Sequence, residues 1–426
     1  MRILVLSRSA WRNDNSTGRT LTDIMSAFPD AEIYGLSMRE QPPQNNIIKD
    51  NFIISETQMI KGLFKKNYVG AKSRIETADE KLESNVYGNS NAKSRISLWI
   101  AREMLWNIGG WKNQKLRSYI QEVDPDIIFS PVFPGCYPQK LLLYVQKISK
   151  AKVVVFHTDD NYTLKRVMFS PIAWIYRFVK RKWVKKTALC ADINYVISDI
   201  QKEDYEKAFR RECKILTKSA DFLGDAPVKQ GYNTPLQLVF TGNIGLNRWR
   251  SLQIIADALE KINADGIKAQ MRIYTATPLT EKMERALNRG ESSHIMGKVS
   301  ADEVAKIQND ADMLIHVEAF DLKNRLTVRQ SFSTKIVDYL KAARPILAVG
   351  PVDVASIDHL VRNDCAIVAQ NEKEIIQKLE SIIENPSILT ETAVKGYECG
   401  RRFHNKSDIQ KMLIDDMNSI LIEQAD

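Results

Sequence analysis

Short runs of continuous apolar residues recur along the chain, each separated from the next by a longer stretch of helical periodicity. The series runs twice. RILVLS, EIYGLS, DIIFSPV, KVVVFH and INYVIS form the first; LQLVFTG, MRIYTA, SHIMG, DMLIHV, PILAVG and CAIVA form the second, after Pro235. A strand that is apolar on both faces must be covered on both faces, so such runs alternating with helices specify parallel sheets between helical layers. Two series predict an α/β protein of two Rossmann-like, doubly wound domains facing across a cleft. A chain of 426 residues also exceeds what one core usually fills. The break falls in SADFLGDAPVKQGYNTP, residues 219–235, which is dense in turn formers. The expected organisation is a first domain over 1–218, a linker over 219–235, a second domain over 236–406 and a final helix over 407–426. That helix sets Ile409, Met412, Leu413, Met417, Ile420 and Leu421 on one face and needs a surface to cover it. The second domain and a crossover back to the first are both open.

In open α/β sheets, ligands bind outside the carboxyl ends of the strands. The residues that follow each strand are therefore where chemistry is sought. In SFSTKIVDYLKAARPILAVGP, Ile336, Tyr339, Leu340 and Ala343 repeat as one buried helix face, and Ser333 suits the N-cap. Lys335 then lies in the first turn, against the positive end of the helix dipole. A bound phosphate would turn that misfit into an attraction. Asp338, one turn on, has the chemistry to accept hydrogen bonds from ribose hydroxyls. Ser333, Thr334, Lys335 and Asp338 together suit a nucleoside diphosphate; a solvated lysine and a dipole-favoured aspartate are the plain alternative.

VFTGNIGLNRWRSLQIIADALEKI reads as strand, glycine loop and helix. Gly242, Asn243 and Gly245 form the loop, which has neither a Walker A nor a GxGxxG pattern. Arg248 or Arg250 can clamp phosphate bidentately. In VVVFHTDDNY, His157 ends a buried strand and is expected to face the cleft, as a hydrogen-bonding or proton-transfer group. Asp159 and Asp160 read as a metal pair or as a helix cap. After the first strand, WRNDNSTGRTLTDIMSAF offers Gly18 for close backbone approach to a phosphate or an acceptor. The two Asp-x-Asp pairs, Asp124/Asp126 and Asp310/Asp312, precede strands, at the wrong sheet edge for a metal–nucleotide motif. No metal site is expected.

A formal charge of +9 favours anionic partners. Residues 164–190 carry eight Lys/Arg and no acid, interleaved with Trp174, Tyr176, Phe178 and Trp183, a composition suited to an anionic membrane surface. Trp99, Trp106 and Trp111 add to it. No nucleic-acid-binding module surrounds this patch, so nucleic acid is not an expected partner. Five scattered cysteines without CxxC spacing read as free thiols of a reducing compartment. The first residues read as a strand, not a signal peptide. The expected location is the cytoplasm, at the inner face of the cell membrane if the basic patch docks there.

FTGNIGLNRWRSL, IMGKVSADEVAKIQNDADMLIHVEAF and SFSTKIVDYLKAARPILAVGP together resemble the retaining GT-B glycosyltransferases of family-4 type (glycosyl transferases group 1), which serve polysaccharide and glycolipid assembly. FHTDD and ADINYVIS resemble the first-domain landmarks. The resemblance implies a metal-independent enzyme without cofactor. It would move a sugar from a nucleotide-diphosphate sugar to a hydroxyl of a glycan or lipid-linked acceptor. It assigns Asp338 to the ribose, Lys335 and Arg248 to the diphosphate, Gly18 to the donor phosphate and His157 to the donor sugar. The family pattern has an acid eight residues before Asp338, where this sequence has Gln330, which leaves the sugar-contacting role unassigned, with Ser331 and Glu318 as the candidates to fill it. Two other readings stand beside transfer: a nucleotide-sugar 2-epimerase of the same fold, and a non-catalytic protein that binds nucleotide sugar.

Overall fold

The computed structural model describes residues 1–9, 11, 12, 16–65, 68–73, 75 and 92–422. Residues 13–15 of the loop before Gly18 and 423–426 of the expected last helix lie outside the described residues.

Strands β1 (Arg2–Ser7), β2 (Glu32–Ser37), β3 (Ile48–Ile53), β4 (Ala71–Lys72), β5 (Ile127–Pro131), β6 (Lys152–His157), β7 (Ile193–Val196) and β8 (Lys214–Ile215) form one sheet. Its order is β4-β3-β2-β1-β5-β6-β7-β8, parallel except for β4. Strands β9 (Leu236–Thr241), β10 (Ala269–Tyr274), β11 (Ser293–Gly297), β12 (Met313–Val317), β13 (Ile346–Val349) and β14 (Ile367–Ala369) form the second, in the order β11-β10-β9-β12-β13-β14. Both are doubly wound α/β sheets. The strand order reverses between β1 and β5 in one and between β9 and β12 in the other, which opens a crevice at each switch point.

The strands run as the apolar segments predict, with β5 buried along its whole length. Strand β3 was not foreseen. Its sequence IKDNFI breaks the apolar pattern at Lys49, Asp50 and Asn51, yet Asn51 is buried and its Oδ1 accepts the Ser37 hydroxyl at 2.9 Å. A satisfied polar side chain is tolerated inside a sheet, and no periodicity rule can see that.

Two chain crossings join the domains. One is the segment after β8. The other follows helix Ser387–His404, whose Leu389, Ala393 and Tyr397 are buried in the second domain. The crossings are laced together: Ala220 N donates to His404 O at 2.9 Å and Lys406 N to Ala220 O at 2.9 Å. Helix Lys406–Ile422 then returns to the first sheet, where Leu413, Met417 and Ile420 share a core with Ile3, Val5, Phe129 and Tyr195. Its Asp416 accepts the Tyr195 hydroxyl at 2.6 Å. The Asp-x-Asp pairs serve chain structure: Asp126 accepts Arg2 N, and Asp312 accepts Gln237 N at the start of β9.

Candidate active site

Two adjoining cavities of about 1240 and 1100 Å³ open at the carboxyl ends of the two sheets. Both are bounded by Arg19, Thr241, Asn243, Lys335 and Asp338. The first lies over the second domain, between Gly242, Tyr274–Pro278, Lys298 and Gln308. The second is the cleft between domains, with Thr17, Asp23, Asp159 and Lys218 on one wall and Arg248, His316, Glu318 and Ser333 on the other.

Lys335 starts the seven-residue helix Lys335–Lys341, one residue later than the Ser333 cap predicted. Thr334 is the cap and makes no side-chain capping bond, while the Ser333 amide donates to Ser356 Oγ at 2.9 Å. The side chain of Lys335 runs back to the end of β9 and donates to Thr241 O at 2.7 Å. Burial, and then the nearby Arg248, hold its pKa below the ordinary lysine value. Gly242 makes this approach possible. Its φ is +149°, and a Cβ there would lie 1.7 Å from Lys335 Nζ. The loop then turns: Asn243 Oδ1 accepts Gly245 N at 2.6 Å, and Leu246 and Asn247 both take positive φ. Gly245 shapes this turn and does not line either cavity.

Arg248 opens helix Arg248–Ile262 and holds Glu318 with both edges of its fork, Nε to Oε2 and Nη2 to Oε1, each at 3.0 Å. Arg250 instead covers the Trp249 ring. Glu318 follows β12 and is almost wholly buried; burial raises its pKa more than Arg248 lowers it. Beside it, at the end of β12, is His316, a residue to which no sequence motif drew attention. His316 is 6% exposed and its Nε2 has no partner, lying 3.9 Å from Glu318 Oε1. Burial, together with Arg248 and Lys335, pushes its pKa down to about 3, so it is neutral.

Two expected placements, those of His157 and Gly18, need correction. His157 is fully buried and does not line either cavity. It ends β6 on the face away from the cleft, with Phe156 and Thr158 lining the cleft on either side of it. Its ring meets Tyr205 edge-on at 5.0 Å, Nε2 lies 3.3 Å from Asn194 Oδ1, and burial lowers its pKa to about 4. The period-2 alternation of a strand explains the error: strand ends face the crevice, but only alternate side chains do. Gly18 packs against the Arg12 backbone, where a Cβ would lie 1.9 Å from Arg12 O. Its neighbours Thr17, Arg19 and Thr20 line the cleft instead. Asp338 lines both cavities but is already ion-paired with Lys218 of the first domain. Gln330 turns away from the cleft altogether. It is buried and donates to Asp204 Oδ2 at 2.6 Å, Arg329 pairs with the same carboxylate, and Ser198 donates to Gln330 O at 2.8 Å. The position that the family pattern gives to an acid is an interdomain fastener here. Of Asp159 and Asp160, the first lines the cleft and the second is buried against Arg177 at 2.9 Å, accepting Tyr162 and Thr163 amides.

The cleft therefore brings Lys335 and Arg248 together from different helices at the switch point of the second sheet. Arg19 and Lys218 face them from the first domain. An anion entering there meets four cations, two of which are already matched by Glu318 and Asp338.

Residues 235–385 match the family model described as Glycosyl transferases group 1. No curated protein matches the sequence. Solved structures match across the chain. Sucrose-phosphate synthase from Thermosynechococcus elongatus aligns over 99% of this chain and 100% of its own, with a TM-score of 0.63 at 9% identity. Anabaena HepE in complex with UDP and glucose aligns over 98% and 100%, with a TM-score of 0.59 at 12% identity. An α,α-trehalose-phosphate synthase (UDP-forming) from Burkholderia xenovorans, in complex with glucose-6-phosphate, aligns over 98% and 100%, with a TM-score of 0.59 at 8% identity. The fold is the two-domain GT-B fold of glycosyltransferases, and the match to the group 1 model lies in the second domain.

Proposed function

We propose that this protein transfers a sugar from a nucleoside-diphosphate donor to an acceptor hydroxyl. The observation that carries the reading is the convergence of Lys335 and Arg248 on one cleft in the part of the chain that matches the group 1 model. In transfer, the bond from the anomeric carbon to phosphate oxygen breaks, the acceptor oxygen bonds to that carbon, and negative charge grows on the diphosphate. Groups aimed at that charge lower the barrier. Lys335 and Arg248 are those groups, which makes a divalent metal unnecessary. Asp338 takes the ribose after releasing Lys218. The resemblance implies retention of configuration, with the leaving phosphate oxygen taking the acceptor proton. HepE with UDP and glucose makes UDP-linked sugars the first donors to try.

The direct test is a thermal-shift panel of nucleoside-diphosphate sugars, followed by nucleotide release with and without candidate glycan acceptors. A donor present at about 100 times its Kd stabilises the fold by about 2.7 kcal/mol. Acceptor-dependent release that survives EDTA is expected. Donor isomerised without acceptor would mark an epimerase, and binding without any turnover a degenerate transferase.

An anionic membrane surface is the proposed site of work. On helix Pro171–Cys190, Ile172, Ile175, Phe178 and Val179 are exposed, Phe169 just before it is 89% exposed, and Lys182, Lys185 and Lys186 continue the outer face. Trp99 of helix Ala92–Ile108 meets Tyr176 at 6.3 Å, so that helix adds the exposed Leu98, Met104 and Ile108 nearby. Two of the eight cations are buried away from this surface. Arg177 is buried on Asp160, and Lys180 is buried beside Asn161 with its pKa pushed down to about 7, chiefly by burial. Among the described residues no helix is long and apolar enough to cross a membrane. Cosedimentation with phosphatidylglycerol vesicles is expected to exceed that with phosphatidylcholine. The pair Ile175→Ser and Phe178→Ser should weaken it about tenfold or more, since each loses an apolar side chain's burial. Equal partition into neutral vesicles would rule this surface out.

A further inference from the structure

Arg248 commits one edge of its guanidinium to Glu318. Its Nε and Nη2 both go to Glu318, which is 3% exposed. To present that same fork to a diphosphate, Arg248 must let Glu318 go. A buried carboxylate left without a partner is costly, so the exchange needs a replacement donor close at hand. His316 is such a donor. It stands two residues before Glu318 at the end of the same strand, its Nε2 is buried and unpartnered, and the gap to Glu318 Oε1 is 3.9 Å. An unpartnered polar atom so deeply buried calls for an explanation, and a hydrogen bond made only in the ligand-bound state supplies one.

We propose that His316 is a positioning residue of the donor site: its Nε2–H takes over the Glu318 carboxylate when Arg248 turns from Glu318 to a bound diphosphate. The exchange moves no proton between residues. It requires the neutral imidazole with hydrogen on Nε2, and burial with Arg248 and Lys335 alongside keeps the ring neutral. Glu318 thus has one side-chain partner in each arrangement, Arg248 as described and His316 once Arg248 holds a diphosphate. The role deepens the transferase reading and rests on it.

Calorimetry with UDP separates the possibilities. His316→Leu removes the donor and is expected to raise the UDP Kd, and the donor KM, about tenfold while kcat changes little. His316→Gln, whose amide reaches the Nε2 position, should restore most of the affinity. His316→Asn, whose amide ends short of it, should behave like His316→Leu and serves if the leucine variant does not fold. With Glu318→Gln already in place, His316→Leu should have no further effect, because the histidine acts through that carboxylate. Wild-type affinity in His316→Leu, failure of His316→Gln to restore it, or an equal loss in both backgrounds would each overturn the assignment. If the wild-type protein binds neither UDP nor any other nucleoside diphosphate, the donor reading and this inference fall together. If it binds and the variants match it, only the inference falls.

Discussion

Lys335→Ala is expected to cut turnover about 100- to 1000-fold, the usual cost of removing one donor aimed at developing charge, while leaving the protein as stable as before or slightly more so. The two halves of this expectation come from the same geometry. Among the described residues, Lys335 Nζ makes a single hydrogen bond, to the Thr241 carbonyl. Against that stands burial, which pulls its pKa down, and the neighbouring Arg248, which pulls in the same direction. A cation held where its charged form is disfavoured adds little to folding. Its position is explained by what it meets on ligand binding, a trade of stability for function. Gly242 points the same way. A residue with φ of +149° and no room for a Cβ keeps open the one path by which the lysine reaches the end of β9. Thermal unfolding of Lys335→Ala and steady-state transfer with a UDP-sugar check both halves. Near-normal transfer with normal donor affinity would remove Lys335 from the site, and a large fall in melting temperature would make it structural.

What the sequence discloses here divides along physical lines. The sheets were legible because burial on both faces writes continuous apolar runs. The buried positions 336, 339, 340 and 343 were legible because helical spacing repeats. Lys335 stood out because a cation in a first turn is locally unfavourable, and that local conflict led to a residue that lines both cavities. Arg248 was one of two candidates, and packing decided: Arg250 found an aromatic ring, Arg248 a buried carboxylate. His157 overturns what the sequence suggested, and His316 lines the cleft although no motif marked it. His157 is the last residue of β6 and His316 the last but one of β12, and side-chain alternation turns one into the core and leaves the other beside the cleft. Nothing in single-sequence periodicity tells the two apart when the strand is apolar on both faces. Arg19 and Lys218 were invisible for another reason. Their place in the site depends on how the first domain faces the second, a relation set by the fastenings at Gln330 and Asp204 and by the return of helix Lys406–Ile422.

Those fastenings also bear on motion. The crossings at Ala220 and Asn405 lie side by side, and the Gln330 contact holds another part of the interface. Opening the cleft must bend the first and break or slide the second. Lys218–Asp338 spans the cleft between them, exposed enough that a ligand hydroxyl could displace it without a large desolvation cost. Such an arrangement lets donor binding and domain closure be coupled through a few polar contacts.

Arg248→Ala should abolish donor binding and also destabilise the second domain, and its two effects separate with pH. Removing one partner of a buried pair costs more than the pair contributes, because the other charge is stranded. Glu318 is the stranded group, because a neutral His316 donor replaces a hydrogen bond but not the guanidinium charge. The loss is placed at roughly 3 kcal/mol, the low end of the usual range, because the Arg248 side chain is 24% exposed. Already in the wild type, burial holds the Glu318 pKa above the ordinary value of 4.5 despite Arg248. Without the guanidinium it rises further. A raised carboxyl pKa means that the folded state prefers the neutral acid, so stability is complete below about pH 4.5 and is lost as pH climbs through the folded-state pKa. The melting deficit of Arg248→Ala should therefore be small near pH 5 and grow towards pH 8. Adding Glu318→Gln removes the charge that is stranded. It should recover most of the stability at pH 8 and none of the donor affinity, since the fork that grips the diphosphate is still absent. A deficit independent of pH, or one that Glu318→Gln leaves unchanged, would mean that Arg248 supports the fold through packing rather than through that carboxylate.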